Sequence, residues 1–405
     1  MIATFQPSIA QGVVAAPPSK SIAHRLLICA GLSQGESLIE NVSLSEDISA
    51  TLDCLRALGA AVEVCGSDVR VTGTDAQKAL PCKELQCRES GSTLRFFIPI
   101  CLLSGNRVVL RGSEALFRRP LEAYEDICAK LGLGFNKSSD SLSVQGPLVG
   151  GEFSVSVAES SQFVSGLLFA LPLSDRDSLI RLQPPVESRP YIDLTVKALS
   201  QFGVEVEWTD DNSICVRGNQ QYGPACVRVE GDYSNAAFFQ ALNHLGGDVT
   251  VTGLDPKSRQ GDRRCAELFK LLEKGPSTIG ISDCPDLGPI LMAVAADLHG
   301  ATLIGTRRLR LKESDRALAM QEELYKFGAK VDVEENRVTV FPSSLHAPDA
   351  MLDGHNDHRI VMALAVLAAK YGGRISGAEA VAKSLPDFFD RLKTLGIRVH
   401  TDTGA

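Results

Sequence analysis

The sequence predicts an α/β protein of two domains, each holding three copies of one unit with a buried helix inside and a small sheet outside. Three observations carry this. A helix that ends in a glycine stop recurs six times, at Gly59, Gly132, Gly203, Gly275, Gly328 and Gly396, at intervals of 73, 71, 72, 53 and 68 residues. A second helix family interleaves with the first, beginning near Arg25, Arg95, Gln162, Asn235, Leu287 and Arg359. Finally, 405 residues exceed what one hydrophobic core usually serves, so two domains are expected.

The first helix family is amphipathic. Ala317, Met320, Leu324 and Phe327 fall on one stripe of a helix that stops near Gly328, and Lys312 to Arg316 is expected to form its first turn. After four of the stops come strand-like segments, such as Gly203-Val204-Glu205-Val206 and Gly328-Ala329-Lys330-Val331, and alternation continues in Arg337-Val338-Thr339-Val340. Members of the second family are apolar nearly all round, as in Val361 to Ala369, and a helix without a polar face is buried. Each ends in a polar turn and leads into a strand such as Asp248 to Thr252. One repeat therefore reads helix, strand, helix, strand, strand in circular order. The one short interval implies a trimmed unit, and the break between halves is expected near Val229-Glu230-Gly231-Asp232. The first strand, Ala3 to Ala10, precedes the first buried helix and fits the other half.

With 44% apolar and 22% charged residues and a mean hydropathy near zero, the composition is that of an ordinary soluble globular chain. A net charge of -8 argues against nucleic acid as the main partner. The apolar runs, such as Phe163 to Leu173, are too short to cross a bilayer and read as buried helices. Eleven cysteines without a C-x-x-C pair, four of them (Cys29, Cys54, Cys101, Cys128) on apolar helical faces, read as reduced core residues of a cytoplasmic protein. Met1-Ile2-Ala3-Thr4-Phe5 has neither a basic head nor an apolar run, so no signal or transit peptide is expected.

The heads of the helices carry the chemistry. Serine, aspartate and asparagine there are good N-caps. Capping does not explain the cations. Lys20, Arg25, Arg95 and Arg359 open buried helices, and Arg119, Arg189, Lys312 and Lys383 open members of the other family. A cation in a first turn opposes the macrodipole by about 0.3–1 kcal/mol. Eight such placements point to sites for anionic ligands, held by helix N-termini reinforced with lysine and arginine and expected in a cleft between the domains. No phosphate-loop or dinucleotide fingerprint competes, so no nucleotide cofactor is expected. His355 and His358 beside Asp353 and Asp357 have no further cluster to support a metal, and none is expected. Ser21, Ser160 and Ser161 lack a nucleophile elbow and read as ligands. Asp286, Glu313 and Lys20 are candidates for proton transfer, although local sequence fits Asp286 equally well as an N-cap after Pro285. Asp315 reads as a structural helix-start acid.

These motifs, in order, resemble those of the 5-enolpyruvylshikimate-3-phosphate synthases. They are Pro18-Ser19-Lys20-Ser21 with Arg25, Ser90-Gly91-Ser92-Thr93-Leu94-Arg95, Arg118-Arg119-Pro120 and Ser160-Ser161-Gln162-Phe163. Ser188-Arg189-Pro190-Tyr191-Ile192-Asp193, Glu230-Gly231-Asp232, Pro285-Asp286-Leu287, Lys312-Glu313-Ser314-Asp315-Arg316, Asn356-Asp357-His358-Arg359 and Ala382-Lys383-Ser384 continue the series. The resemblance implies a two-domain inside-out α/β barrel of six βαβαββ repeats, three per domain. One domain would be Met1–Pro18 with Glu230–Ala405, the other Ser19–Val229. It also implies transfer of the carboxyvinyl group of phosphoenolpyruvate to the 5-hydroxyl of shikimate 3-phosphate, with release of phosphate and no metal or cofactor. A monomer is the default expectation.

By the same resemblance, Lys20, Ser21, Arg25, Ser160, Ser161, Gln162, Ser188, Tyr191, Asp286 and Lys312 would hold shikimate 3-phosphate. Lys20, Gly91, Arg119, Gln162, Arg316, Arg359 and Lys383 would hold phosphoenolpyruvate, and glyphosate would compete with it because Gly91 is retained. Two positions depart from the pattern. Glu89 stands where most relatives carry asparagine, needing Arg88 or Arg119 to neutralise it, and Arg308 stands where some carry asparagine. The sister enzymes acting on UDP-N-acetylglucosamine share the fold but have asparagine after the first lysine and a reactive loop cysteine. Here Ser21 follows Lys20, and neither Cys101 nor Cys128 falls in an obvious loop. A non-catalytic anion-binding relative is the remaining alternative, opposed by the joint retention of Asp286, Glu313 and Lys20.

Overall fold

A computed structural model of the chain describes residues 1–78 and 83–402. Its helices are α1 (Lys20–Leu32), α2 (Glu46–Leu58), α3 (Gly91–Cys101), the single turn α4 (Glu114–Phe117), α5 (Glu122–Leu131), α6 (Gln162–Ala170) and α7 (Arg189–Gln201). They continue with α8 (Tyr233–His244), α9 (Cys265–Glu273), α10 (Gly288–Asp297), α11 (Arg316–Lys326), α12 (His358–Tyr371) and α13 (Phe388–Thr394). The chain packs as two compact units, Met1–Pro17 with Gly231–Ala405, and Pro18–Glu230.

Both helix families are present as the periodicity predicts. In α12 every residue from His358 to Ala369 is buried, and α10 is buried from Gly288 to Ala296. The partner family buries one stripe only: Leu268, Phe269 and Leu272 in α9, Ala317, Met320 and Leu324 in α11. All six glycine stops have positive φ, from +67° at Gly132 to +135° at Gly275, the left-handed conformation that ends helices without a Cβ penalty. Each unit has its own apolar core, built from the buried helices and the inward faces of its sheets. A fully buried leucine or phenylalanine contributes about 1.5–3 kcal/mol, several times any single helix-propensity difference.

Within Pro18–Glu230 three four-stranded sheets share one order. Glu152–Ser156 pairs parallel with Ser178–Gln183, which pairs antiparallel with Ser213–Val216, followed by Val206–Asp210. Glu84–Gln86, Arg107–Arg111, Ser141–Gln145 and Gly134–Lys137 repeat it. The remaining sheet is closed by Cys226–Arg228, which returns to pair with Glu36–Glu40 in the register Cys226 opposite Leu38.

In the other unit, Ser277–Gly280, Ala301–Ile304, Arg337–Val340 and Val331–Val333 form one such sheet. Another is completed by Ile2–Gln6, which lies between Gly373–Ser376 and Arg398–Asp402. The third is only a two-stranded ribbon of Gln11–Ala15 and Asp248–Thr252. That ribbon is the trimmed repeat: after Gly275 the chain enters Ser277–Gly280, the first strand of the next sheet, so the usual hairpin is missing.

One helix pair sets up the site directly. A Cβ at Gly166 in α6 would come within 2.1 Å of the Tyr124 hydroxyl and 2.5 Å of the Arg95 carbonyl on α3. Glycine in a helix costs about 1 kcal/mol against alanine. The close approach it permits brings the heads of α3 and α6 together, where Arg95 Nη1 donates to Gln162 Oε1 at 3.0 Å.

Candidate active site

In the unit formed by Met1–Pro17 and Gly231–Ala405, the segments that lead into α10, α11 and α12 meet in an ion-pair cluster. Asp286 Oδ1 lies 2.9 Å from Arg316 Nη1 and 3.2 Å from Lys312 Nζ, and its Oδ2 lies 3.0 Å from Arg359 Nη2. Arg316 also meets Glu313 at 2.6 Å and Asp357 at 2.8 Å. Lys383 donates to the Asn356 carbonyl at 2.8 Å. His355 and Asn356 both have positive φ, and this tight turn delivers Asp357 to the head of α12, where its carboxylate accepts from the Arg359 N–H at 2.9 Å. The N-cap position of α10 is Leu287, not Asp286. Asp286 lies in the 3₁₀ turn Pro285–Leu287, one residue before that position.

The helix start is shifted from its expected place. The Asp315 side chain accepts from the Leu318 N–H at 3.2 Å, so α11 begins at Arg316, and Lys312, Glu313 and Ser314 precede it. Asp315 is a structural helix-start acid, as its sequence context predicts. Lys312 therefore does not occupy the first turn, and only Arg316 opposes the dipole. That opposition, about 0.3–1 kcal/mol, is outweighed by hydrogen bonds to three carboxylates, each contributing about 1.5–3 kcal/mol. An absent substrate is not needed to explain Arg316.

Burial pushes the Asp286 pKa up, but Arg359, Lys312 and Arg316 outweigh it and hold the carboxyl well below the usual carboxylate range. Burial and the neighbouring Arg316 and Arg308 lower the Lys312 pKa, with Asp286 opposing. Asp262 behaves in the opposite way to Asp286. Burial first, then the negative charge of Asp286, raise it to about 6, and Ser234 donates to it.

In Pro18–Glu230 the heads of α1, α3, α6 and α7, with Arg119 in the segment between α4 and α5, supply the remaining expected residues. Lys20 opens α1 and pairs with Asp47 at 2.8 Å. Arg25, one turn further and 2% exposed, donates to the Thr195 hydroxyl at 2.8 Å and to the Ser21 and Tyr191 carbonyls at 2.6 and 2.9 Å. Its ion-pair position contains no carboxylate among the described residues, and burial lowers its pKa to about 10. A buried guanidinium facing only neutral acceptors is poised for an anion.

Ser160 accepts from the Gln162 N–H at 3.2 Å, Ser161 is buried at the head of α6, and Gln162 Nε2 donates to Ser92 at 2.8 Å. Ser188, fully buried before α7, adopts φ +56°, a conformation unusual for a side-chain-bearing residue and one that accumulates at functional sites. A Cβ on Gly91 would lie 2.7 Å from Arg119 Nη1 and 3.2 Å from Arg95 Nη1, so both guanidinium groups reach the bare backbone there. Arg189, grouped with the anion-binding cations by sequence, stacks on Trp208 at 4.2 Å and pairs with exposed Asp211. Asp47 and Asp357, the carboxylate partners of Lys20 and Arg316, carry no sequence signal that links them to those cations. Asp357 was visible only as a helix-head acid.

The family model of EPSP synthase (3-phosphoshikimate 1-carboxyvinyltransferase) matches residues 6–392. The chain belongs to the EPSP synthase family. A 3-phosphoshikimate 1-carboxyvinyltransferase of Clostridium perfringens is 39% identical over 413 residues, covering 96% of this chain and 97% of the relative. One from Clostridium kluyveri is 38% identical over 418 residues, with 97% of each covered. Among solved structures, an EPSP synthase from Acinetobacter baumannii superposes with a TM-score of 0.80 at 22% identity, covering 99% of this chain and 100% of that one. An enolpyruvyl transferase from Streptomyces tendae gives 0.80 at 15% identity, covering 100% and 99%. At those identities the two structures speak for the fold alone, the inside-out α/β architecture expected from the repeats.

The departures from the family pattern have structural contexts. Arg88 pairs with Asp53 at 2.6 Å, so this cation is engaged away from Glu89. Arg308 is buried near Lys312, whose pKa it helps to lower. Cys101 and Cys128 are buried in α3 and α5, and burial pushes both thiols up, Cys128 to about 11; neither is a reactive loop cysteine. The ten described cysteines are all free, and Cys82 lies outside the described residues. Among the described residues no helix is long and apolar enough to cross a membrane. Glu322, Glu323 and His355 bring three potential metal-ligating atoms within 4.8 Å of one another. Glu323 is already held there by Lys326, His355 and the Asp353 N–H, and the ammonium disfavours a cation.

Proposed function

We propose that this chain transfers the carboxyvinyl group of phosphoenolpyruvate to the 5-hydroxyl of shikimate 3-phosphate, releasing phosphate, and that it does so in a reducing, cytoplasmic setting. The observation that carries the reading is Asp286, a carboxylate kept ionised among three cations that are themselves anion receptors. The carboxylate-free Arg25 in the other unit supports it. Lys20, Ser21, Arg25, Ser160, Ser161, Gln162, Ser188, Tyr191, Asp286 and Lys312 hold shikimate 3-phosphate. Lys20, Gly91, Arg119, Gln162, Arg316, Arg359 and Lys383 hold phosphoenolpyruvate, with arginine forks gripping its phosphate and carboxylate.

Glu313 and Lys20 protonate the phosphoenolpyruvate methylene, which makes C2 electrophilic. The 5-hydroxyl attacks C2 and gives its proton to Asp286. The charged tetrahedral adduct is stabilised by the surrounding cations. Phosphate then leaves from C2 with the proton held by Asp286, and C3 returns its proton to Glu313 and Lys20, restoring the vinyl group. In the unliganded protein the strongly lowered pKa makes Asp286 a weak base. Substrate phosphate and carboxylate compete for Arg316, Arg359 and Lys312, and this competition raises the basicity of Asp286 when the hydroxyl is in place.

Incubation with both substrates should release inorganic phosphate only when shikimate 3-phosphate is present. Release with UDP-N-acetylglucosamine in its place would assign the sister reaction, and no release with either would mark a binding relative. The buried, high-pKa Cys101 and Cys128 favour the first outcome. Gly91→Ala tests the phosphoenolpyruvate pocket. The new methyl meets the far ends of Arg119 and Arg95, which can yield without unfolding the helix. The KM for phosphoenolpyruvate is expected to rise at least about tenfold through this misplacement, with a smaller change for shikimate 3-phosphate. Unchanged KM values would remove Gly91 from the pocket.

A further inference from the structure

Beneath the proposed phosphoenolpyruvate pocket runs a buried line of polar side chains that no step of the reaction uses. His24 on α1 is 1% exposed, and its Nδ1 lies 2.8 Å from the Thr51 hydroxyl on α2. Thr51 lies 2.8 Å from the Thr93 hydroxyl on α3, and Thr93 donates to Ser90 Oγ at 2.7 Å. Ser90 in turn accepts from the Thr93 N–H at 3.2 Å, capping α3 immediately before Gly91. The Thr93 hydroxyl also reaches the carbonyl of Asp47, the residue whose carboxylate holds Lys20.

The line has one direction. A hydroxyl owns a single proton. That of Thr93 points to Ser90 and the Asp47 carbonyl, so toward Thr51 it can only accept. Thr51 therefore donates to Thr93 and must accept from His24, which places the imidazole proton on Nδ1. His24 Nε2 agrees, because it is buried with no hydrogen-bond partner. An unmatched acceptor is tolerated there more readily than an unmatched N–H. Burial, then Lys20 and Arg25, hold the His24 pKa well below its ordinary value, which keeps the ring neutral.

We propose that His24 is a positioning residue: as the fixed Nδ1–H donor at the head of this hydroxyl line, it sets the Ser90–Gly91 backbone and, through Asp47, the Lys20 ammonium. The inference rests on the proposed function for what the pocket binds. The tautomer and the hydrogen-bond direction stand independently of it.

Two measurements test it. Nitrogen NMR of the imidazoles should show His24 protonated at Nδ1, bare at Nε2, and not titrating between about pH 6 and 8. A proton on Nε2, or titration in that range, overturns the proposal. In kinetics, His24→Leu and Thr93→Val should each raise the KM for phosphoenolpyruvate about tenfold while kcat changes less, because the pocket is displaced and not dismantled. His24→Asn places an amide donor where Nδ1 was and should restore the KM to within about twofold. Wild-type KM values in both His24→Leu and Thr93→Val, or a His24→Asn variant as impaired as His24→Leu, overturn it. Should His24→Leu fail to fold, the near-isosteric Thr93→Val decides alone. A wild-type protein that releases no phosphate would sink the proposed function and leave the NMR result to judge the hydrogen-bond line.

Discussion

Asp286→Ala is expected to lower turnover at least about a hundredfold, the contribution of a positioned general base, without weakening phosphoenolpyruvate binding. The two halves of this result have separate causes. Turnover falls because Asp286 is the carboxylate that meets Lys312, Arg316 and Arg359 together. Binding survives because Asp286 competes with an incoming anion for those same cations, so its loss leaves them more available. The KM for phosphoenolpyruvate should stay level or fall. Steady-state kinetics with both substrates varied, and binding of each alone, would check it; near-normal turnover would remove Asp286 from the proton-transfer role. The pH dependence follows from the same geometry. With its pKa held well below the usual carboxylate range, Asp286 is ionised in the free protein throughout the neutral and mildly acidic range. The acid limb of kcat/KM should therefore not reflect its protonation until pH falls below that range.

Asp357→Ala is expected to act on folding. Asp357 is fully buried and accepts from Arg316 Nε at 2.8 Å, Arg316 Nη2 at 3.3 Å, Ser314 Oγ at 3.1 Å and the Arg359 N–H at 2.9 Å. Alanine would leave the Arg316 guanidinium, 1% exposed, without one of its three carboxylates and would uncap α12. Removing one partner of a buried pair costs about 3–5 kcal/mol, and losing the cap about 0.5–2 kcal/mol. For a unit of this size, that corresponds to a thermal midpoint lowered by roughly 10 °C or more. Asp357→Asn keeps an acceptor for the Arg359 N–H and should lose less. A melting curve of the alanine variant that overlays the wild type would refute the account.

Much of the architecture was readable because it rests on strong, repeated, local signals. The glycine stops, the helices apolar on every face and the short interval before Gly328 each have one physical reading, and the missing hairpin after Gly275 explains the last of them. The heads of the helices were readable as polar, and the cations at them as unusual. Their partners were not. Arg316 is met by Asp357 41 residues away and Lys20 by Asp47 27 residues away. No periodicity links such segments, so the carboxylates that already balance these cations could not be read from the sequence. The start of α11 was misplaced for a related reason. Asp315 competes with the preceding residues for the cap, and a one-turn shift moved Lys312 from the helix into the segment before it. Arg25 differs from both Arg316 and Lys20, since among the described residues its hydrogen-bond partners are hydroxyls and carbonyls and no carboxylate pairs with it.

The place of Ile2–Gln6 between Gly373–Ser376 and Arg398–Asp402 has a consequence for the order of synthesis. A strand at the middle of a sheet is translated before either neighbour, and the intervening chain includes every residue of the Pro18–Glu230 unit. At about 5–20 residues per second, the ribosome needs on the order of tens of seconds to deliver the partners. Pro18–Glu230, whose own closing strand is Cys226–Arg228, can finish folding in that time. The unit that carries Asp286 and Arg316 thus cannot complete this sheet until the last strands of the described chain have been made.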